Sequence, residues 1–515
     1  MTWTSGYVSE IDYTHGYYRE LSPALIDFSL LLGGYEAPNR RHMRYLELGY
    51  GQGFSVNIHA AATAGEYWGT DFNPTHAANA QSLARASGAD AHLFDDGFIE
   101  FKQRGDLPLF DYIVVHGVWS WISAENRKAI VDILRDHLNV GGVVYLSYNA
   151  LPGWASAMPL RHIMATHIEA AGNLAQGLTS RIDAAIAFGQ NLIETEALYF
   201  TANPVAKSRL EAIAGQDRHY LAHEYFNRDW QPMYFSEVGE SLTEAKLTYA
   251  TSASPVEQLD GYNLSVEQQK LLNAINYDVL RETVRDYILN RPFRKDLYTK
   301  GARRLTPLEH SERWNDTRII LTVPPETIPL EVDTPRGKIG LKEDFYRAVI
   351  AALDAESTPQ RLGDLANRPE LATLPPGALS EIIAVLVGTG RASPVQSDEA
   401  IEAARPRCRR LNAHLISRAR LSNDTTFLAS PVIGSGIPVA RFEQMFLDAR
   451  SRGKTAPEDL AKDAWEVLAK QNQAIIKNGV MLKTADENLD ELTAQARRLC
   501  DRGLRLYRQL GVLDA

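Results

Sequence analysis

The chain has 515 residues, enough for about two to four domains with cores of their own, and its 45% hydrophobic and 23% charged residues are ordinary for a globular protein. Its net charge of −10 argues against general affinity for nucleic acid or anionic membrane, and no apolar run approaches the roughly 18 residues of a membrane-spanning helix. The start, Met1 to Gly6, lacks a basic region followed by an apolar stretch, and Cys408 and Cys500 stand outside any metal-type spacing; together these predict a cytoplasmic chain with reduced thiols, no secretory signal and no metal site.

Residues 1–40 carry Tyr7, Tyr13, Tyr17 and Tyr18, then Pro23 and an apolar run over 25–32. Two readings stand open: a helix packed on the domain with tyrosines at its edge, or a segment covering a ligand. From Met43 strand and helix alternate, which predicts a parallel sheet. The run 45–53 reads as a buried strand ending at Glu47, a turn carrying Gly49, Gly51 and Gly53, and a helix over 54 to about 64. A second strand over 67–70 ends at Asp71. Asn73-Pro74 then supplies a cap and a first-turn proline for a helix to about 87. A third strand over 91–94 precedes Asp95-Asp96-Gly97, and a fourth over 112–115 is apolar on both faces. Ser123 caps a helix with Ile130, Ile133, Leu134 and Leu138 on its apolar face; Gly141-Gly142 stop it before a fifth strand over 143–148. These elements predict a doubly wound, mostly parallel α/β sheet.

Residues 155–225 read as a helical insertion, with helices over 158–171, 180–200 and 204–214. A helix over 234–245 and strands over 246–250 and 293–298 return to the sheet, which closes the first domain (41–305). The charged stretch 306–316 reads as a boundary. Beyond it, strands over 319–323 and 329–333 and helices over 345–353, 361–367 and 378–387 follow a winged-helix order, which defines a winged-helix-like domain over 316–398. Residues 399–515 read as a helical domain with a loop of small residues at 429–438.

Ligands of such sheets sit outside the carboxyl ends of the strands. Three alternate glycines let the backbone approach a ligand, and the helix behind them points free N–H groups at it. A dinucleotide fingerprint would need glycine at position 54, where Phe54 stands. Asp71 lies 24 residues beyond Glu47, near the roughly 20-residue offset of a ribose-binding acid. A carboxylate at Asp95 or Asp96 could accept from an adenine amine. The candidate contacts for a nucleoside cofactor are therefore Glu47, Gly49, Tyr50, Gly51 and Gly53, then Asp71, Phe72 and Asn73. Asp95, Asp96 and Gly97 follow after the third strand, and His116, Gly117 and Val118 after the fourth.

The order acidic-x-G-x-G-x-G resembles the first motif of class I S-adenosylmethionine-dependent methyltransferases. Glu47 to Gly53, His116-Gly117-Val118-Trp119-Ser120-Trp121 and Tyr148-Asn149-Ala150-Leu151-Pro152-Gly153-Trp154 together resemble a bacterial group of these enzymes with an appended methyltransferase regulatory domain. His223-Glu224-Tyr225-Phe226 and Pro232-Met233-Tyr234-Phe235 are similar to the opening motifs of that domain. The group includes protein-lysine methyltransferases acting on outer-membrane proteins. The resemblance covers roughly residues 10–340 and implies a Rossmann-like methyltransferase fold, S-adenosylmethionine as cofactor and S-adenosylhomocysteine as product. It also implies that the N-terminal tyrosines and Tyr148-Asn149 lie near the reacting methyl. The catalytic candidates are His116 as cofactor contact or proton acceptor, Trp119 as a channel wall beside Trp121, Tyr148 and Tyr18. Two departures stand out: no Asn-Pro-Pro-Tyr turn follows the fourth strand, and Tyr50 replaces the cysteine or other small residue commoner there.

The expected function is methyl transfer to an amine or hydroxyl of a macromolecule, protein lysine first. A surface glycan or lipid-linked sugar is the alternative acceptor, and a basic cleft would favour it. A reading of another class is a cofactor sensor that binds DNA, or a scaffold without catalysis. The helix over 378–388 contains Glu381 and no Lys or Arg, so it lacks the cations a DNA reader needs and instead fits protein contact or a homodimer.

Overall fold

The computed structural model of the chain describes residues 15–39, 41–171, 177–356 and 358–513; Tyr7 and Tyr13 lie outside the described residues. A short turn, Arg19–Leu21, leads into α1 (Pro23–Leu32), capped by the Ser22 hydroxyl, which accepts from Leu25 N. Leu25 and Phe28 of α1 enter a core around Trp314, while Ile26 and Leu30 pack under the sheet with Tyr45.

Strand and helix then alternate as β1 (Arg44–Leu48), α2 (Phe54–Ala62), β2 (Glu66–Thr70), α3 (Pro74–Ser87) and β3 (Ala91–Phe94). They continue as α4 (Phe98–Lys102), β4 (Phe110–Val115), α5 (Ala124–His137) and β5 (Leu138–Asn149). The Asn73 side chain accepts from Thr75 N at the start of α3, and Ser123 Oγ from Asn126 N at the start of α5. Gly141 and Gly142 do not stop α5. The helix ends at His137 and both glycines lie inside β5, where Gly141 N donates to Lys300 O and Lys300 N to Gly142 O.

A helical insertion follows: α6 (Met158–Ala171), α7 (Leu178–Glu194), α8 (Leu198–Ala202), α9 (Pro204–Ala214) and α10 (Arg218–Tyr225). They share an apolar centre that includes Trp154, Leu160, Ile186 and Leu210. The single helix expected over 180–200 is broken after Glu194: Glu196 turns left-handed with φ 56°, and this turn lets Phe200 of α8 fold back onto that centre. The chain rejoins the sheet through α11 (Phe235–Thr243) and β6 (Thr248–Ser252). Then α12 (Asp260–Asn263), α13 (Val266–Asn273) and α14 (Asp278–Leu289), none of them assigned from the sequence, precede β7 (Phe293–Thr299).

The seven strands form one sheet in the order β3-β2-β1-β4-β5-β7-β6. β1 to β5 are parallel, and β7 runs antiparallel between β5 and β6. Both faces are covered, which is why the central strands are almost wholly apolar. The architecture is a Rossmann-like methyltransferase sheet with flanking helices.

The charged stretch at 306–316 is a helix, Pro307–Asp316, whose capping box joins Thr306 and Glu309; its Trp314 ring lies 5.9 Å from that of Phe28. Beyond it the strand Arg318–Leu321 is central between Gln360–Arg361 and Ala392–Pro394, all antiparallel. Helices Glu343–Asp354, Leu362–Ala366 and Ala378–Gly388 pack with these strands, and the hairpin Glu331–Thr334/Gly337–Gly340 precedes all three helices. The C-terminal region is mainly helical, but its small-residue loop is a hairpin, Phe427–Ser430/Ser435–Pro438, whose Leu428 and Ile437 share a core with Phe54 and Ile58 of α2. Among the described residues no helix is long and apolar enough to cross a membrane, and no cluster of His, Cys, Asp or Glu is placed to hold a metal ion.

Candidate active site

A cleft opens at the carboxyl ends of β1, β2 and β4. Its floor is the glycine turn, where Gly49 has φ 80° and Gly53 φ 76°, a conformation L side chains rarely adopt. A Cβ at Gly49 would lie 2.4 Å from Val118 Cγ2, so glycine there lets the loop after β4 close on the turn. A Cβ at Gly53 would lie 2.3 Å from that of Ala80; this glycine packs α2 against α3 and does not line the cleft.

Asp71 is buried at the end of β2 and gathers three donors. Gly51 N donates to Oδ2 at 2.9 Å and Asn73 N to Oδ1 at 3.1 Å, while His76 Nδ1 lies 3.0 Å from Oδ1. Asn73 itself is the cap of α3 and stands outside the lining, whereas Phe72 and His76 belong to it. His76 was missed in the sequence. Its position in the first turn of α3, five residues past the strand-end acid, is the one signal that could have found it.

Glu47 is buried beneath the turn and accepts from Tyr45 Oη at 3.3 Å. Burial pushes its carboxyl up to about 8, with the Asp71 charge adding to the effect. Tyr50 lines the cleft and donates through Oη to Phe94 O at 2.5 Å, which ties the turn to β3. Asp95 is exposed, Asp96 is bound 3.0 Å from Arg104 Nη1, and neither they nor Gly97 line the cleft; that wall is Phe98, the first residue of α4.

After β4, His116, Gly117 and Val118 line the cleft. His116 Nδ1 lies 3.0 Å from Tyr145 Oη and 3.2 Å from Ser147 Oγ, and Gly117 N donates to Ser147 Oγ at 2.8 Å. Burial pushes the His116 ring down to about 4 against the pull of Glu20, so it is neutral at physiological pH. Tyr18 covers it, with ring centroids 3.9 Å apart. The short turn Trp119–Trp121 splits the two indoles. Trp119 is fully buried in the core with Ile130 and Phe235, and Trp121 faces the cleft. Tyr148 is also away from the cleft, because side chains alternate along β5: Tyr145 and Ser147 face His116, and Tyr148 points to the other side, donating to Asp296 Oδ2 at 3.0 Å.

An adenosyl sulfonium cofactor needs acceptors for its hydroxyls and ammonium, an apolar wall for its ring, and no competing cation. The lining offers the carboxyls of Glu47 and Asp71, the rings of Tyr50, Phe72 and Phe98, and no Lys or Arg among its described residues. These residues fit the group.

Comparison with known proteins agrees with this geometry. A family described as "Methyltransferase domain" matches residues 46–144, and one described as "Predicted methyltransferase regulatory domain" matches residues 217–300. An uncharacterized protein of Synechocystis sp. is 38% identical over 515 residues, covering 99% of this chain and 100% of its own length. One from Rickettsia prowazekii is 27% identical over 334 residues, covering 63% of this chain and 58% of its own length. Among solved structures, PKMT2 from Rickettsia typhi in complex with AdoHcy shares the fold along the whole chain, with a TM-score of 0.70 at 20% identity, covering 97% of this chain and 100% of that one. The chain therefore belongs to the family of S-adenosylmethionine-dependent class I methyltransferases that carry the methyltransferase regulatory domain.

Proposed function

We propose that the chain methylates an amine of a macromolecule, protein lysine first. The observation that carries this reading is the character of the cleft: Tyr18, Phe98 and Trp121 wall it, Glu47 and Asp71 are its acidic groups, and no Lys or Arg lines it among the described residues. An aromatic wall strips water from an incoming ammonium and favours the neutral amine, the form with a lone pair to attack. With no Lys or Arg in the described lining, no like charge repels a cationic side chain at the mouth. A sulfated, phosphorylated or otherwise anionic glycan would meet no cation there.

Bound S-adenosylmethionine supplies an already activated methyl group, so the protein's task is to position and desolvate. Asp71 and the glycine turn would hold the nucleoside end, and Glu47 lies buried beneath that turn. Tyr18 and Trp121 line the cleft and exclude water from it. The neutral His116 keeps positive charge away from the incoming amine. Held at about 4, it is a weak base toward an amine whose ordinary value is about 10.4, so proton loss is assigned to solvent at the mouth. Incubating the chain with fractionated cell extract and S-adenosylmethionine labelled on its methyl group tests the reading. Label is expected in protein, on lysine side chains after hydrolysis; label confined to glycan or lipid would overturn it.

A further inference from the structure

We propose that Tyr17 is a positioning residue through which the C-terminal hairpin Phe427–Ser430/Ser435–Pro438 holds Tyr18 over the cofactor cleft. The Tyr17 hydroxyl accepts from Gly436 N at 2.5 Å and lies 2.6 Å from Ser435 Oγ and 3.1 Å from His59 Nε2 on α2. Its ring packs 4.7 Å from that of Phe427. The contact is close: a Cβ at Gly436 would stand 2.8 Å from Tyr17 Cζ. Burial pushes the hydroxyl up to about 12, so it stays a neutral hydrogen-bonding group over the physiological range.

The next three residues are fixed as firmly, each on a different part of the molecule. The amide of Tyr18 donates to Ser55 Oγ at 3.0 Å, and its ring enters the cleft over His116. The Arg19 guanidinium donates to Val387 O, near the end of the helix Ala378–Gly388. The Glu20 carboxylate pairs with Lys295, which lies opposite Ser147 across β5 and β7, beside His116. Tyr18 thus reaches the cleft from a segment whose neighbours are anchored more than 270 residues away on either side of it. Because Tyr17 and Tyr18 are adjacent, a displacement of the first ring moves the backbone that carries the second. The C-terminal hairpin, which contributes no residue to the cleft lining, is in this way part of its roof.

The inference rests on the cleft being the cofactor site. The test is the dissociation rate of S-adenosylhomocysteine from the full chain and from Tyr17→Phe, Ser435→Ala and the double variant. Tyr17→Phe removes all three contacts of the hydroxyl and should speed dissociation about tenfold, Ser435→Ala removes one of them and should speed it less, and KM for S-adenosylmethionine should rise in step. The double variant should be no faster than Tyr17→Phe, in which the contact with Ser435 is already lost. The melting midpoint of the ligand-free chain should fall only slightly, the cost of a lost hydrogen bond spread over a large fold, and the dissociation rates should not simply follow it. Rates near that of the unaltered chain, effects that multiply in the double variant, or rates that merely follow a lowered melting midpoint would each overturn the role of Tyr17. Failure of the unaltered chain to bind S-adenosylhomocysteine would instead defeat the cofactor reading itself.

Discussion

The amide of Gly51 donates to Oδ2 of Asp71 across 2.9 Å, joining the turn behind the first strand to the acid behind the second. With Asn73 N and His76 Nδ1 at the other oxygen, the carboxylate is held in one orientation before any ligand arrives. Asp71→Ala should weaken binding of S-adenosylhomocysteine by about 2–3 kcal/mol, the scale of hydrogen bonds to a charged group. Calorimetry with an analogue lacking both ribose hydroxyls completes the test. The variant should bind analogue and parent nearly alike; continued discrimination would place the ribose contact elsewhere.

Glu47 should make cofactor binding a proton-releasing event. Its ordinary value is 4.5, and burial pushes it up to about 8. The stability it lends the ligand-free fold is therefore complete below 4.5 and is lost as pH rises through about 8. Near neutral pH the carboxyl is mostly protonated, and a cation placed in the cleft favours its ionised form. Titration calorimetry in two buffers of different ionisation heat should show proton release for the chain and none for Glu47→Gln. Buffer-independent heats in the unaltered chain would remove Glu47 from the site.

The buried histidines set the acid limit. Burial pushes His59 down to about 3 and His116 down to about 4, from an ordinary 6.5. Their neutral forms support the fold fully above 6.5, and that support is lost as pH falls toward 4. In His116→Asn, the slope of unfolding free energy over this window should be shallower by up to about 1.4 kcal/mol per pH unit, the value of one proton. Denaturant titrations at several pH values read that slope directly.

The two indoles of the turn after β4 should separate stability from activity. Trp119→Ala should cost about 3–5 kcal/mol of stability by opening a core cavity, with the specific activity of the folded fraction retained. Trp121→Ala should lower methyl transfer at least about tenfold, near 1.4 kcal/mol of barrier. Thermal melts and turnover on the same two preparations decide it; an inactive but undamaged Trp119 variant would reverse the assignment.

Much of the sheet was legible because its signals are local. Asn73-Pro74 and Ser123 mark helix starts through bonds to residues two and three positions away, and β4 is apolar because both its faces are covered. What stayed hidden depends on partners distant in the chain. Gly141 and Gly142 read as a helix stop because their hydrogen bonds run to Lys300. Trp119 and Trp121 are alike in sequence, and only the short turn sends one to the core and the other to the cleft. Tyr148 reads as a site residue until the parity of β5 turns it toward Asp296. Tyr17 meets Ser435, 418 positions away, which no periodicity can reveal. In the cleft, the glycine turn and Asp71 were readable from spacing, whereas His76 and Phe98 entered it through helix geometry.

The central claim is that the glycine turn and the two strand-end acids bind an adenosyl sulfonium, and titration calorimetry with S-adenosylhomocysteine tests it most directly. Binding in the micromolar range is expected for the unaltered chain, with none for a folded Gly51→Val, whose side chain would enter the ligand's space at a backbone φ of 56°. No heat with S-adenosylmethionine or S-adenosylhomocysteine, together with clear binding of NAD, would contradict it.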